Sequence, residues 1–548
     1  MEQRLGEDLP HLALSLARRP MGEHRLAIVA ENQQDLATKL GSARSRLEQP
    51  QPRPLRSRSG IYYNFGPPPG KIAVLFPGQG SQYPEMLREL CGHVPGVKTW
   101  FDELDRAYLR AGAARPSELL SPARPNQADD DRLFGLEVGA QLGLAASLAL
   151  YSVLLRMGVR ADFLLGHSNG EHAALIAAGV ISYASIREAC EFMCRVALES
   201  TRLPAPPVPE GVMAVGGIDR HVVEAIVNHN PNQIYVAVDN CPTQVVLAGY
   251  RDALQKAAAE MRLRGAICSS LPFVRAHHTP LFADWSRLLE KHYQALPGGR
   301  PNVTVYSCGT AQPYPSDRQE MWKLLASQWS GCVRFRETIE TLYAAGARIF
   351  IETGPDNRLS AFVDDTLRNK PHRSLSASVS SRRDLLQLAH LAADLYSAGV
   401  PVALGIFYGE PAADLCVASA RASVREAVLY EYTTTARIAA ESEARMAAQV
   451  GGRSTRVPDV RQFPLLGEVR FRESGKLLAR RTFQIERDAF LLDHRLGRGE
   501  RGEHGAPLPV LAFTLTTEIA AEAASCLAGM PIQRLTGIRA HTWLALGP

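Results

Sequence analysis

The sequence lacks a dense stripe of basic residues, a long uncharged apolar run and an N-terminal apolar segment of the secretory type. Its 548 residues carry a formal net charge of only +5, and its basic residues do not alternate with aromatic ones, which argues against a nucleic-acid partner. The longest apolar run, Leu142–Leu155, is interrupted by serine and tyrosine and is too short to cross a bilayer. We therefore expect a cytoplasmic protein with neither a membrane nor a nucleic acid as partner.

Cysteine is scarce, and its pattern excludes a disulfide framework. The nine cysteines are scattered and odd in number, which is typical of reduced cytoplasmic thiols. Cys190 and Cys194 are four residues apart on a predicted helix, but no second ligand pair with metal-site spacing accompanies them. Core packing is the favoured interpretation of this pair, and we expect no metal site.

Several domains are expected, because a chain of this length is too long for one hydrophobic core. Hydrophobic residues make up 46% and charged residues 21% of the sequence, as in ordinary soluble proteins. From about residue 71, apolar strands alternate with helices, a pattern typical of a parallel α/β sheet. Residues of about 211–272 interrupt it with the order β-α-β-β-α-β, the split pattern of a ferredoxin-like subdomain.

The pentad Gly166–Gly170 (Gly-His-Ser-Asn-Gly) places Ser168 between small residues where a predicted strand meets a predicted helix. It fits the Gly-x-Ser-x-Gly nucleophile elbow, whose tight backbone needs glycine on both sides. Backbone N–H groups and the helix dipole at such a junction favour an oxyanion. Glycine-rich turns with serine also occur without catalysis, so the motif alone leaves a structural interpretation open.

A serine nucleophile needs a base, and the adjacent pair His277 and His278 offers one. The pair precedes the helix breaker Pro280 and lies where the predicted small subdomain returns to the large one. This is the edge of an expected cleft, which favours a functional over a structural role.

Six motifs lie along residues 76–362. They are FPGQGSQ (76–82), GHSNGEHAALIAAGVIS (166–182), NCPTQVVLAG (240–249), HHTP (277–280), QWSGCVRF (328–335) and IETGPDNRLSAF (351–362). Their order and rough spacing resemble those of malonyl/acyl-CoA:acyl-carrier-protein transacylases. Over about residues 71–400 the chain resembles, more narrowly, the acyltransferase domain of a type I polyketide synthase. Residues 1–70 resemble the linker that follows the ketosynthase in such synthases, and residues from about 461 resemble the start of a dehydratase hot-dog domain.

Pattern and resemblance together predict an α/β protein in four parts. Residues 1–70 form a small α/β linker domain. Residues 71–408 form the acyltransferase domain: an α/β-hydrolase-like large subdomain with a parallel sheet, and the inserted ferredoxin-like small subdomain. A linker over 409–460 leads to a partial hot-dog α+β unit over 461–548.

The resemblance implies a mechanism that uses a Ser–His dyad. Ser168 becomes acylated, and His278 is its general base, oriented by the backbone carbonyl of Gln328. The backbone N–H groups of Gln79 and Asn169 match the oxyanion hole. Acyl-CoA is the implied substrate and the phosphopantetheine thiol of an acyl carrier protein the acceptor, with no bound cofactor. The ketosynthase and other polyketide synthase domains are further implied partners.

The sequence differs from the family pattern at one position that the resemblance assigns to binding of the acyl group. Family members that select malonyl groups hold the free carboxylate with an arginine on the helix after the elbow, and Met193 stands at that position. A thioether cannot replace the two parallel hydrogen bonds of a guanidinium. Arg195 points to nearly the opposite side of the helix, and Arg275 is either a second carboxylate binder or a solvated arginine at a strand end.

Further residues match the neighbourhood of the acyl pocket. Gln141 and His277 are candidates for its wall. Asn240 and Gln244 fit either a supporting role there or the capping of a turn, and both interpretations stay open.

We therefore expect an acyltransferase that loads an acyl group without a free carboxylate. The alternatives are a malonyl-specific extender acyltransferase, a hydrolase that removes acyl groups from a carrier protein, and a non-catalytic docking scaffold. In the dehydratase-like part His494 matches the catalytic base. The chain ends at Pro548, before the second half that would supply the acid, so we expect no dehydration from this chain alone.

Overall fold

The computed structural model describes most of the first 407 residues. The chain divides into two compact units, Met1–Tyr432 and Thr433–Pro548. The described part covers residues 9–407 except 18, 50–52, 95, 122–131, 136, 182, 203, 274 and 297; beyond residue 407 it covers short strands and residues 522 and 525. The strands are β1 (His24–Ala30), β2 (Leu55–Arg56), β3 (Ile61–Phe65), β4 (Lys71–Phe76), β5 (Phe163–Gly166), β6 (Glu210–Gly216), β7 (Ile234–Cys241), β8 (Gln244–Tyr250), β9 (Ile267–Ser270), β10 (Thr304–Ser307), β11 (Gln312–Pro313), β12 (Ala347–Glu352), β13 (Arg373–Ser376), β14 (Glu426–Glu431), β15 (Glu468–Glu473), β16 (Lys476–Arg480), β17 (Arg495–Leu496) and β18 (Leu508–Pro509).

Most helices of the first unit bury apolar residues on one side, as the helix Gln33–Leu47 does with Leu36, Leu40 and Ala43. The helices are α1 (Leu9–Ala17), α2 (Gln33–Leu47), α3 (Arg88–His93), α4 (Val97–Arg110), α5 (Gly139–Arg156), α6 (Gly170–Ala177), α7 (Ile186–Ser200), α8 (Arg220–Asn228), α9 (Arg251–Leu263), α10 (Ala283–Gln294), α11 (Arg318–Ser327), α12 (Phe335–Ala344), α13 (Arg358–Thr366) and α14 (Asp384–Ser397).

The N-terminal segment packs α1 and α2 on a small sheet with strand order β14-β1-β3-β2. The apolar periodicity of the sequence predicts amphipathic segments around Leu9–Arg18 and Gln34–Leu47 with an apolar strand between them, and α1, α2 and β1 lie there. The Asn32 side chain caps α2 by accepting the N–H of Asp35. The strand β3 lies in a stretch whose proline content indicates a linker. Ile61, Tyr62 and Tyr63 are all buried there, so burial outweighs the flanking prolines.

A six-stranded sheet with the order β11-β10-β5-β4-β12-β13 organises the large part of the chain. The neighbouring strands β10, β5, β4, β12 and β13 are parallel to one another. At the edge of the sheet, β11 pairs antiparallel with β10. The central strands β4 and β5 are almost wholly apolar and buried, as expected for strands covered on both faces. The carboxyl ends of β4 and β5 lie side by side, and the loops that follow them build the site described below.

The helix α5 is the one described helix that is long and apolar enough to cross a membrane, and most of it is buried inside the protein. Leu142, Ala146 and Leu150 contribute to the main hydrophobic core. It therefore has the environment of a core helix.

A separate four-stranded sheet spans Glu210–Ser270. Its order is β7-β8-β6-β9, its pairs are antiparallel, and α8 and α9 follow β6 and β8 along the chain. Val215, Leu247 and Met261 belong to a small core of their own. The other face of this sheet packs on the large part of the chain, since Val212, Ala237 and Val246 share a second core with Leu75 and Phe350.

The strands described beyond residue 407 are short. The strand β14 lies in the stretch predicted as a linker and pairs in parallel with β1. The sequence is β-rich over GEVRFRES (467–474) and KLLARRTFQI (476–485), and in the second unit β15 and β16 form an antiparallel pair there. His494 lies outside the described residues.

Candidate active site

Ser168 follows the end of β5 at a sharp turn into α6. Its backbone is left-handed, with φ of +55°, a strained conformation for a residue with a side chain. A Cβ on Gly166 would lie 2.0 Å from the backbone N of Glu171, and one on Gly170 would lie 2.0 Å from the carbonyl O of Phe76. Both glycines are therefore required by backbone contacts, and the elbow predicted from the sequence is present.

The loop after β4 runs beside the serine. A Cβ on Gly78 would lie 3.1 Å from the Cβ of Ser168, so the next residue, Gln79, is a close neighbour of the nucleophile. Asn169 precedes the first turn of α6, and its Nδ2 donates to the carbonyl of Ala140 at 3.4 Å. The two residues assigned to the oxyanion hole thus flank Ser168.

His278 lies against Ser168, 110 residues away in sequence. The Oγ of Ser168 and the Nε2 of His278 are 2.6 Å apart, and the Nδ1 of His278 lies 2.9 Å from the carbonyl O of Gln328. A carbonyl only accepts, so Nδ1 carries the proton and Nε2 is free to accept the serine proton. The pair has the tautomer that a general base needs.

The surroundings keep this imidazole neutral. His278 is buried and stacks on Trp329, with ring centroids 5.5 Å apart, and burial is the main reason why its pKa falls to about 4. The hydrogen bond to Gln328 opposes the shift. At neutral pH the ring is therefore an uncharged base without a carboxylate partner.

A second polar chain supports the elbow from the small sheet. The Nε2 of His167 lies 2.8 Å from the Oδ1 of Asn240, and the Nδ2 of Asn240 donates to the Oε1 of Gln244 at 2.6 Å. The contact of Asn240 with His167 fits a supporting role, and its contact with Gln244 spans the turn between β7 and β8, so the contacts agree with both interpretations left open for Asn240 and Gln244. The partner, His167, was not among the predicted site residues, although its place in the elbow motif was a signal.

A groove of about 600 Å³ opens beside the dyad. Of the six predicted pocket residues, Arg275 and His277 line it, whereas Gln141, Met193, Asn240 and Gln244 do not belong to its lining. The described lining is mostly apolar and also includes three arginines and one glutamate: Gln79, Phe134, Gly135, Glu137, Gly211, Val212, Met213, Arg251, Leu254, Gln255, Ala258, Arg262, Ser270, Leu271, Pro272, Phe273, Arg275 and His277.

Met193 lies on the buried side of α7, belongs to the main hydrophobic core and is 2% exposed. Arg195, two residues on, is exposed and lies over the ring of Phe192. Arg275 lies 3.4 Å from the carboxylate of the buried Glu210 and over the ring of Phe282. The charge of Arg275 therefore has an acidic partner, while its side chain keeps 20% of its surface exposed.

Comparison with known proteins finds a family model and relatives that each match more than half of this chain. A family model described as acyl transferase domain matches residues 74–400. The malonyl CoA-acyl carrier protein transacylase of Bacillus subtilis (strain 168) is 31% identical over 333 residues, 58% of this chain and 96% of that protein. A polyunsaturated fatty acid synthase protein from Thraustochytrium sp. is 30% identical over 345 residues, 60% of this chain.

Among solved structures, the acyltransferase domain from the second module of the salinomycin polyketide synthase superposes with a TM-score of 0.59 at 27% identity, covering 76% of this chain and 92% of that one. The chain spans only 12% of the Thraustochytrium protein. The residues that match the family model, 74–400, include Ser168 and His278.

Proposed function

The chain belongs to the acyl transferase domain family, and from this premise we propose that it moves an acyl group from acyl-CoA to the phosphopantetheine thiol of an acyl carrier protein through an ester on Ser168. The observation that carries the proposal is the 2.6 Å contact between the Oγ of Ser168 and the Nε2 of His278. A hydroxyl this close to an unprotonated imidazole nitrogen is an activated nucleophile.

The steps follow from the geometry. The Nε2 of His278 takes the serine proton while Oγ attacks the thioester carbonyl, and the backbone N–H groups of Gln79 and Asn169 stabilise the oxyanion. Collapse breaks the C–S bond, and His278 returns the proton to the departing sulfur. The carrier thiol then repeats the sequence in reverse: His278 takes its proton, the thioester forms, and Ser168 regains its hydroxyl.

The charges around the site support an acyl group without a free carboxylate. Met193 has no hydrogen-bond donor for a carboxylate, and Arg195 is exposed on the surface of α7. The guanidinium of Arg275 is engaged by Glu210. None of these three side chains presents an unpaired buried cation, so none of them would compensate a malonyl carboxylate for its lost hydration.

A second candidate is selection of malonyl groups. It is favoured by the relatives, since the Bacillus subtilis protein that aligns with 58% of this chain is a malonyl CoA-acyl carrier protein transacylase. The two candidates share the dyad and differ only in the acyl pocket.

An acyl-CoA panel followed by intact mass separates the candidates. Acetyl-CoA or another simple monocarboxylic acyl-CoA is expected to acylate Ser168 about 10- to 100-fold faster than malonyl-CoA, the ratio that follows from about 1–3 kcal/mol for an unpaired buried polar group. Faster acylation by malonyl-CoA would establish the second candidate. Slow loss of the adduct in water with fast transfer to a carrier protein distinguishes a transferase from a hydrolase.

The groove supports a path for the phosphopantetheine arm. Arg251 and Arg262 lie on α9 and line it, and each spends one donor on a backbone carbonyl: that of Glu210 at 3.3 Å and that of Cys268 at 2.8 Å. Their remaining donors suit the phosphates of CoA and of the carrier-bound arm.

Replacing both Arg251 and Arg262 by alanine is expected to raise the KM for acyl-CoA about tenfold, since each exposed charge contact is worth up to about 1 kcal/mol. The effect shrinks in high salt, and kcat is retained because Ser168 and His278 are untouched. Arg264→Ala is the matched control: Arg264 is exposed, pairs with Glu260 and is not part of the groove lining. An unchanged KM in the double variant would place the phosphates elsewhere.

The flanking segments complete the proposal. We assign residues 1–70 as the linker that follows a ketosynthase and residues from about 461 as the start of a dehydratase-like unit. The order β7-β8-β6-β9 supports a ferredoxin-like small subdomain. A synthase context in the cytoplasm, with ketosynthase and carrier-protein domains as partners, accords with these assignments.

A further inference from the structure

Glu171 is a buried acid that the proposed mechanism does not use. It is the third residue after the nucleophile, lies in the first turn of α6 and is fully buried. Its carboxylate accepts the backbone N–H of Cys308 at 2.7 Å and the hydroxyl of Ser307 at 3.1 and 3.2 Å. The hydroxyl of Tyr314 also donates to it. Three residues of the hairpin formed by β10 and β11, or directly after it, thus donate to one acid.

The turn between β10 and β11 also packs against Gln328, the residue that orients His278. A Cβ on Gly309 would lie 3.4 Å from the Cβ of Gln328, and the carbonyl of Gln328 accepts the Nδ1–H of His278. The turn also holds the elbow at a second point, since the Sγ of Cys308 donates to the carbonyl of Gly166 at 3.2 Å. The turn therefore lies between the support of the nucleophile and the support of the base.

We propose that Glu171 is a positioning residue: its carboxylate, held by Ser307, Cys308 and Tyr314, fixes the elbow that carries Ser168 in register with the segment that orients His278. The proposal rests on the role of the dyad in the proposed function. Ser168 and His278 both adopt left-handed backbone conformations, with φ of +55° and +59°, and such strain persists only where the surroundings over-determine it.

The donors around Glu171 favour its charged form, whereas burial favours the neutral one. The Oγ of Ser307 already accepts the N–H of Gly309, so its own proton is directed at the carboxylate. Burial prevails and raises the pKa of Glu171 to about 7. The titratable groups facing it are Tyr314, Cys308 and Tyr293, whose pKa values burial also raises, so they stay neutral near pH 7 and Glu171 titrates alone.

Glu171→Gln tests the proposal, because glutamine has the shape of the neutral acid. The readout is the rate at which a fluorophosphonate labels Ser168, which requires the aligned dyad but no acyl donor. At pH 8 the variant is expected to be labelled about 10- to 100-fold more slowly, the cost of a small misplacement of reacting groups, with an unchanged KM for acyl-CoA. The wild-type rate falls towards that of the variant as the pH drops through about 7, whereas the rate of the variant stays level there.

Thermal stability separates positioning from a merely structural role. Burial raises the pKa of Glu171 from 4.5 to about 7 in the folded protein. Its contribution to the free energy of unfolding is therefore fully present below about pH 4.5 and is lost as the pH rises to about 7. At pH 8 Glu171→Gln is therefore expected to melt no lower than wild type while being labelled more slowly. Wild-type labelling at pH 8, or slow labelling matched by a lower melting temperature, would overturn the proposal.

Two further variants keep the test informative. Tyr314→Phe removes one donor to the carboxylate, so the fall in labelling rate is expected at a higher pH than in wild type; an unmoved midpoint counts against the proposal. Glu320→Gln changes an exposed acid at the start of α11 and is the control for the loss of one charge. If the wild-type protein is labelled by fluorophosphonate but acylated by no acyl-CoA, the proposed function fails while the positioning role remains.

Discussion

His278→Ala is expected to slow acylation of Ser168 by about 10²- to 10⁴-fold, the usual contribution of a general base. The imidazole is the only described side chain within hydrogen-bonding distance of the Ser168 hydroxyl. Without it the serine must lose its proton to water in a buried site. Ser168→Ala removes the nucleophile altogether and is expected to form no acyl adduct.

Intact mass spectrometry after rapid mixing with acyl-CoA measures both variants. His221→Ala is a matched control, since its side chain is 92% exposed on α8; its rate should equal that of wild type. A His278→Ala variant that keeps more than about a tenth of the wild-type rate would contradict the dyad, because even a weak general base contributes more.

The pH dependence of acylation follows from the same imidazole. The pKa of His278 is lowered to about 4 by burial, and the base works only when neutral. The rate is therefore expected to collapse as the pH falls through about 4, well below the ordinary histidine value. The smaller fall near pH 7 that we attribute to Glu171 is separate, and only that one disappears in Glu171→Gln.

The elbow could be predicted from the sequence because its constraints are local. Gly166 and Gly170 contact backbone within a few residues of the turn or on the adjacent strand, and such contacts leave a fixed motif. His278 and Gln328 were assigned through resemblance, since no rule of spacing brings together residues 110 and 160 positions from Ser168. Their approach depends on how the sheets and the segments between them pack.

The charge pairing around the pocket was beyond sequence reasoning. Arg275 was a candidate carboxylate binder, and the acid that pairs with it, Glu210, lies 65 residues earlier at the start of β6. The support of the elbow by Glu171 was missed for the same reason, since its donors come from a turn more than 130 residues later. The strand β3 was missed because proline-rich flanks obscured a short buried strand.

A positively charged side chain at position 193 is expected to reverse the acyl preference. Met193→Arg places a guanidinium at the position where the resemblance implies the carboxylate-binding arginine. Two charge-assisted hydrogen bonds to a malonyl carboxylate, worth about 3 kcal/mol together, correspond to a change of about 100-fold in the ratio of malonyl to acetyl acylation. The comparison of both rates in one variant cancels general losses of activity.

The cost of that substitution is itself informative. Position 193 is only 2% exposed, so an unpaired guanidinium there destabilises the fold, and Met193→Arg should melt lower than wild type and be stabilised more by malonyl-CoA than by acetyl-CoA. Met193→Leu is the control of similar volume and should keep the wild-type preference. If Met193→Arg leaves the malonyl-to-acetyl ratio unchanged, position 193 does not reach the acyl group, and selection must lie in the groove beside Arg275 and His277.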